Sequence, residues 1–255
     1  MECMQRPLLT FGLLVLLAMP LFAQRTTSIR VAAASDLKFA LDSVISTFSV
    51  PGVRIDPIYG SSGKLFEQIS NGAPFDIFLS ADITYPQKLV NTGHAVGQPY
   101  VYAVGRLVLW SRRVRTDAVG LDALKATTIK KVAIANPRHA PYGEKAVQAL
   151  QHYGMYEMLS SKLVYGENIS QAAQFVSSGA ADVGIIALSL AKSPTMMQLQ
   201  PQYYLIPEES HQPLIQAGVV TSYGKEKDSV NQFFDYLKGD QAGSVFQHFG
   251  FSKPL

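Results

Sequence analysis

The sequence predicts an α/β protein of two lobes with a ligand cleft between them, and three observations carry that prediction. Two serine-bearing turns, Val31-Ala-Ala-Ala-Ser35-Asp36-Leu37 and Tyr59-Gly60-Ser61-Ser62-Gly63-Lys64-Leu65, each join an apolar, strand-like run to an amphipathic, helix-like run. A second pair of such junctions follows beyond residue 130. β-Rich runs at residues 101–110 and 214–220 stand between the helix-rich blocks, where connections between lobes belong. Successive strand-to-helix junctions specify parallel sheets covered by helices.

Along the chain, residues 1–23 come first: Arg6, then a nearly unbroken apolar run from Leu8 to Leu21, then Phe22-Ala23-Gln24. That order is the pattern of a cleaved export signal, and the run is short for a membrane span. The only cysteine, Cys3, lies inside it, so the mature chain is expected to lack a thiol for a disulfide, a metal or a covalent nucleophile. With no cysteine at the cleavage point a lipid anchor is excluded, and the periplasm is the expected destination.

Residues 29–34 are short and apolar, as suits a strand covered on both faces. Behind the first turn, Leu37, Leu41, Val44, Ile45 and Phe48 recur at helical spacing. Residues 53–59 read as the next strand, followed by a helix with Leu65, Phe66 and Ile69 on its face and Gly72 placed to end it. The second pair repeats the design. Residues 131–135 lead through Asn136-Pro-Arg-His-Ala-Pro-Tyr142-Gly143 into a helix bearing Val147, Leu150 and Tyr153, closed by Gly154. Residues 163–165 lead through Gly166-Glu167-Asn168-Ile169 into a helix bearing Ala172, Phe175 and Val176, closed by Gly179, and residues 182–186 form the strand after it. The expected first lobe is discontinuous, residues 25–105 with 219–255, and residues 106–218 make the second.

Four helix N-termini, two from each lobe, would face one another across the cleft. The first N–H groups of a helix lack intrahelical acceptors, and the dipole is positive at that end. A serine there adds a hydroxyl donor without adding charge. Such a site suits a fully ionised tetrahedral oxyanion, which only accepts hydrogen bonds. The formal net charge of +3 is mild and no basic run alternates with aromatics, so nucleic acid is not an expected partner.

Read as an ordered set, VAAASDL, YGSSGKLFEQI, NGAPFDIFLSAD, NPRHAPYG and the C-terminal YLKGDQAGSVFQHFGF resemble the periplasmic molybdate-binding proteins of ABC-type importers, over nearly the whole mature chain. The resemblance implies a type II periplasmic-binding fold that holds molybdate or tungstate, needs no cofactor, behaves as a monomer and serves a membrane permease. By position it implies that Ser35 and Ser62 each give a hydroxyl and a backbone N–H, and that Tyr142 and Ile169 give backbone N–H groups from the opposite lobe. The chain departs from the pattern at Ala187, where some members place a tyrosine hydroxyl on the ligand. The backbone N–H of Asp36 or the Tyr142 hydroxyl is the expected replacement.

Plainer readings stand beside these. Ser35 and Ser62 have the residue type of ordinary N-caps, Asp36 that of an exposed first-turn acid favoured by the helix dipole, and Ser61 and Gly63 that of turn formers. A sulfate or phosphate receptor would use the same donors, with Asp36 as an acceptor for a protonated phosphate. A secreted hydrolase would pair Ser62 with His139. The Gly60 to Lys64 segment fits neither a nucleotide P-loop nor a nucleophile elbow, and the five histidines lack metal-ligand spacing.

Overall fold

The computed structural model describes residues 26–254; residues 1–23, with Cys3, which the sequence reading expects to be an export signal, lie outside them. In chain order the first part comprises β1 (Thr27–Ala34), α1 (Lys38–Thr47), β2 (Val53–Gly60), α2 (Ser62–Ser70), β3 (Ile77–Ser80), α3 (Thr84–Asn91) and β4 (Ala95–Gly105). The middle part comprises β5 (Leu107–Trp110), α4 (Thr116–Val119), β6 (Val132–Ala135), α5 (Pro141–His152), α6 (Tyr156–Leu159), β7 (Leu163–Gly166), α7 (Ile169–Ser178), β8 (Val183–Ala187), α8 (Leu188–Ala191), α9 (Pro194–Leu199) and β9 (Tyr204–Leu205). The chain then returns through β10 (Leu214–Thr221), α10 (Asp228–Leu237) and α11 (Asp240–His248).

These strands form two five-stranded sheets, β2-β1-β3-β10-β4 and β7-β6-β8-β5-β9. In the first, β1 runs parallel to β2 and β3 and is buried without interruption from Val31 to Ala34, which explains its lack of polar alternation. One face of this sheet packs Val31, Ala33 and Ile77 against Leu41, Phe233 and Phe246 of α1, α10 and α11. The other packs Ala32 and Phe78 against Leu65, Ile69 and Leu89 of α2 and α3. In the second sheet β6 runs parallel to β7 and β8, and its core gathers Ile134, Leu150, Val176 and Ile185 around the fully buried Trp110. The Trp110 indole N–H donates to the Gln200 carbonyl at 2.9 Å, which ties the residue inside this lobe.

Register is what positions the turns. Ala34 lies opposite Gly60, so the Ser35 and Ser61-Ser62 turns leave the first sheet side by side. Ala135 lies opposite Gly166, so the turns into α5 and α7 leave the second sheet in the same way. Both pairs sit at the carboxyl ends of parallel strands, where open α/β sheets present their ligand crevices.

Two connections differ from the sequence reading. The apolar run at residues 101–110 is not one strand: β4 ends at Gly105 and β5 begins at Leu107, in different sheets, with Arg106 as the step between them. The return is also earlier than residue 219. β10 belongs to the first sheet along its whole length, pairing Leu214 with Gly105 and Ala217 with Ser80, because this nearly fully buried strand finds hydrogen-bonding neighbours on both sides only there.

Candidate functional site

Ser35, Asp36, Ser62, Tyr142 and Ile169, far apart in the chain, line one cavity of about 190 Å³ of empty space, its mouth included. The cavity has no Lys, Arg or His among its lining residues. A larger groove, about 890 Å³ of empty space by the same measure, is flanked by Tyr100 and Lys238 and is reached by none of the four junctions.

Each lining residue is held by its junction. Ser35 opens a single 3-10 turn, Ser35–Leu37, that continues into α1. Ser62 is the first residue of α2, and Ile169 the first of α7. Tyr142 follows Pro141, whose fixed φ suits the first helical position. Gly143 then lets α5 settle against β6, since a Cβ there would lie 2.1 Å from the Ala135 carbonyl oxygen. The Asn168 side chain caps α7 by accepting from the Gln171 N–H at 3.0 Å.

Ser35 and Ser62 are not side-chain caps: neither the 3-10 turn nor α2 has a capping hydroxyl. The Ser62 Oγ instead accepts from the Ala81 N–H at 3.0 Å, and the Ser35 Oγ from the Ser170 N–H at 3.3 Å. A hydroxyl that accepts through a lone pair keeps its own hydrogen to donate. Both serines are almost fully buried, so that hydrogen is directed within the protein or into the cavity.

Asp36 is the main departure from the sequence reading. It is 1 % exposed, not a solvated first-turn acid. The short turn bends its side chain inward, where Oδ2 accepts from Gln216 Nε2 at 2.5 Å, while Oδ1 is buried without a hydrogen-bond partner among the described residues. Burial pushes the carboxyl up to about 6, against the opposing hydrogen bonds of Gln216 and Tyr142. Gln216 Nε2 also donates to the Tyr142 hydroxyl at 3.1 Å, and its Oε1 accepts from the Tyr102 hydroxyl at 3.0 Å. Burial and the nearby Asp36 push both tyrosine hydroxyls upward, so they stay protonated. The Tyr142 hydroxyl therefore serves this cluster. Ala187, fully buried at the end of β8, is not among the cavity-lining residues.

The lobes touch directly around the cavity. Ser170 Oγ donates to the Ser35 carbonyl at 2.8 Å, and Ser189 Oγ to the Asp36 carbonyl at 2.8 Å. Opposite α2, the Gly63 N–H donates to the His139 carbonyl at 2.9 Å, Ser61 Oγ bonds His139 Nδ1 at 2.9 Å, and Lys64 forms an ion pair with Glu167. The Ser62–His139 pair of the hydrolase reading is thus not made. His139 takes Ser61 instead, and Glu167, 3.7 Å from His139 Nε2, is beyond hydrogen-bond reach. Ser61 and Gly63, expected only to shape a turn, are lobe-to-lobe contacts.

Sequence reasoning missed Gln216, Ser170 and Ser189. Gln216 had a usable signal, a lone amide within the apolar run at residues 214–220; a buried polar group in such a run needs a polar partner. The other two serines gave none, because their partners come from the opposite lobe.

Comparison with known proteins agrees with this architecture. The model of the family described as bacterial extracellular solute-binding protein matches residues 29–252. The chain belongs to that family. Among curated members of this solute-binding family, it is 37 % identical over 232 residues to the molybdate-binding protein ModA of Azotobacter vinelandii, covering 90 % of this chain and 91 % of that one. It is 39 % identical over 202 residues to ModA of Rhodobacter capsulatus, covering 78 % of each. The solved structure titled Azotobacter vinelandii periplasmic molybdate-binding protein superposes with a TM-score of 0.83 at 32 % identity, over 89 % of this chain and 100 % of that chain. The sulfate-binding protein SubI of Mycobacterium tuberculosis, at TM-score 0.68 and 16 % identity over 89 % of this chain and 87 % of that one, shares the fold alone. The architecture is the type II periplasmic-binding fold, and the family is one of receptors, not enzymes.

Proposed function

We propose that the protein is the periplasmic receptor of an ABC-type importer, capturing molybdate, and tungstate by the same contacts, between two lobes that divide at Arg106 and again ahead of Leu214. The observation that carries this reading is the cavity itself: four strand-to-helix turns converge on a space lined by hydroxyls and first-turn N–H groups and by no cationic side chain. The hydroxyls and N–H groups of Ser35 and Ser62 and the N–H groups of Tyr142 and Ile169 donate to the four oxygens, with the Asp36 N–H adjacent. Neutral donors satisfy a dianion without adding a fixed countercharge, so release needs lobe opening only. The choice of molybdate over sulfate draws on the names of the relatives at 37 % and 39 % identity. Export through residues 1–23, monomeric behaviour and delivery to a membrane permease complete the proposal.

A second reading, a receptor for hydrogenphosphate, has one specific observation in its favour: Asp36 in the cavity wall, which ionised would accept from a protonated oxygen. Calorimetric titration of the mature, ligand-stripped protein with molybdate, tungstate, sulfate and phosphate decides between them. Tight molybdate and tungstate with weak sulfate and phosphate is the expected result. Tight phosphate would keep the fold and replace the ligand, and no oxyanion binding would end the receptor proposal.

A further inference from the structure

A carboxyl group in the wall of an anion site is a contradiction unless its charge is dealt with. Asp36 shares its cavity with Ser35, Ser62, Tyr142 and Ile169 and is 1 % exposed. None of the ion pairs among the described residues includes it. The titratable groups facing it are the hydroxyls of Tyr142 from α5 and Tyr102 from β4, both neutral; Gln216 of β10 and Ser189 of α8 also touch it and carry no charge. Ionised, it would oppose a bound dianion at close range with no cationic side chain in the cavity wall to offset the repulsion. Protonated, it becomes what the site needs. Oδ2 is occupied by the Gln216 amide, and Oδ1 has no partner among the described residues, so a proton on Oδ1 makes an O–H donor on a residue of the cavity wall.

We propose that the Asp36 carboxyl is protonated in the loaded site and donates its O–H to the bound oxyanion, so that each anion captured takes up one proton from solvent. This rests on the receptor reading above and deepens it. It also supplies a donor that Ala187 lacks and that the Tyr142 hydroxyl, engaged with Gln216 and Asp36, does not provide. Selectivity follows from the same atom. A donor at this position favours an anion with only acceptor oxygens and disfavours one that must place its own O–H in the cavity. The direction of the pH effect is fixed by linkage. Burial puts the carboxyl near 6 without ligand, so it is mostly ionised at neutral pH, and a nearby dianion raises it further. Binding must then bring in the missing proton, and affinity falls as pH rises, by close to tenfold per pH unit while the loaded site holds the proton.

The test is molybdate calorimetry at pH 7 and pH 8, where molybdate remains a dianion, in pairs of buffers with different ionisation enthalpies, on the wild-type protein and on Asp36→Asn. The asparagine can accept from Gln216 through Oδ1 and donate through Nδ2, but cannot titrate. The wild type is expected to take up about one proton per anion and to weaken close to tenfold between the two pH values. The variant is expected to take up none and to show a flat profile. Tight wild-type binding with no proton uptake, or a variant with the wild-type pH slope, overturns the inference while leaving the receptor reading in place. Phosphate binding more tightly than molybdate, without proton uptake, would make the carboxyl an acceptor and overturn it too. Absence of binding at either pH defeats the receptor reading and this inference together. Because the proton count is taken on the wild type, a variant that fails to fold does not remove the test.

Discussion

Ser35 and Ser62 show how one residue type acquires two jobs from its surroundings. Each oxygen accepts a backbone N–H that would otherwise be buried unsatisfied, Ser170 for Ser35 and Ala81 for Ser62, and each keeps a hydrogen to give. Replacing either by alanine strands a buried N–H and, on the proposed function, also removes one hydrogen bond to the anion. A hydrogen bond to a charged group is worth about 1.5–3 kcal/mol, so Ser35→Ala and Ser62→Ala should each weaken molybdate binding by roughly ten- to one-hundred-fold, read by calorimetry. A change below threefold in both would move the ligand away from these turns. Both serines were legible in the sequence because a serine directly after a buried strand has few destinations. The burial of Asp36 was not. An acid in a first turn is usually solvated, and only the three-dimensional placement of Gln216 and Tyr142 beside it reveals the inward side chain.

The junctions were legible at the level of elements because their signals are local: apolar runs without alternation, then apolar residues at helical spacing, then glycine. Gly179 illustrates the last, adopting the left-handed conformation that ends α7. The break between β4 and β5 was not legible, since no turn residue interrupts the apolar run apart from Gly105 and Arg106, and sheet membership is a long-range choice. Gly63 carries a prediction of its own. It lies in the first turn of α2, and a Cβ there would sit 2.7 Å from the His139 carbonyl oxygen, in the opposite lobe. Within α2, alanine is the better helix former by about 1 kcal/mol. Gly63→Ala should therefore leave the thermal stability of the ligand-free protein unchanged or raised while weakening molybdate affinity at least tenfold, because the lobes cannot close to the same distance. Loss of stability and affinity in parallel would show that the glycine matters to α2 itself and not to closure.

Across the whole molecule, two sheets built to the same plan meet through their strand ends, and the chain passes between them only near Arg106 and over residues 206–213. The sequence revealed the plan by repeating the junction, yet not the contacts that join the halves, because residues such as Ser61 and His139 are 78 positions apart and each has an ordinary local role. Trp110 lies close in sequence to the first passage, which would make it attractive as an optical reporter of closure. Its position inside the second lobe, fully buried and fixed to Gln200, gives it another use. As the sole tryptophan, it makes fluorescence excited at the red edge of the aromatic band a signal from one half of the molecule alone. In a urea titration followed simultaneously by this emission and by far-ultraviolet circular dichroism, coincident transitions would mean that the lobes unfold as one cooperative unit. With only two passages of chain joining them, we expect separation instead, with ligand drawing the two curves together, since on the proposed function an anion held by both lobes stabilises them jointly. A residue silent towards the ligand thus becomes a gauge of how far each half of a receptor depends on the other.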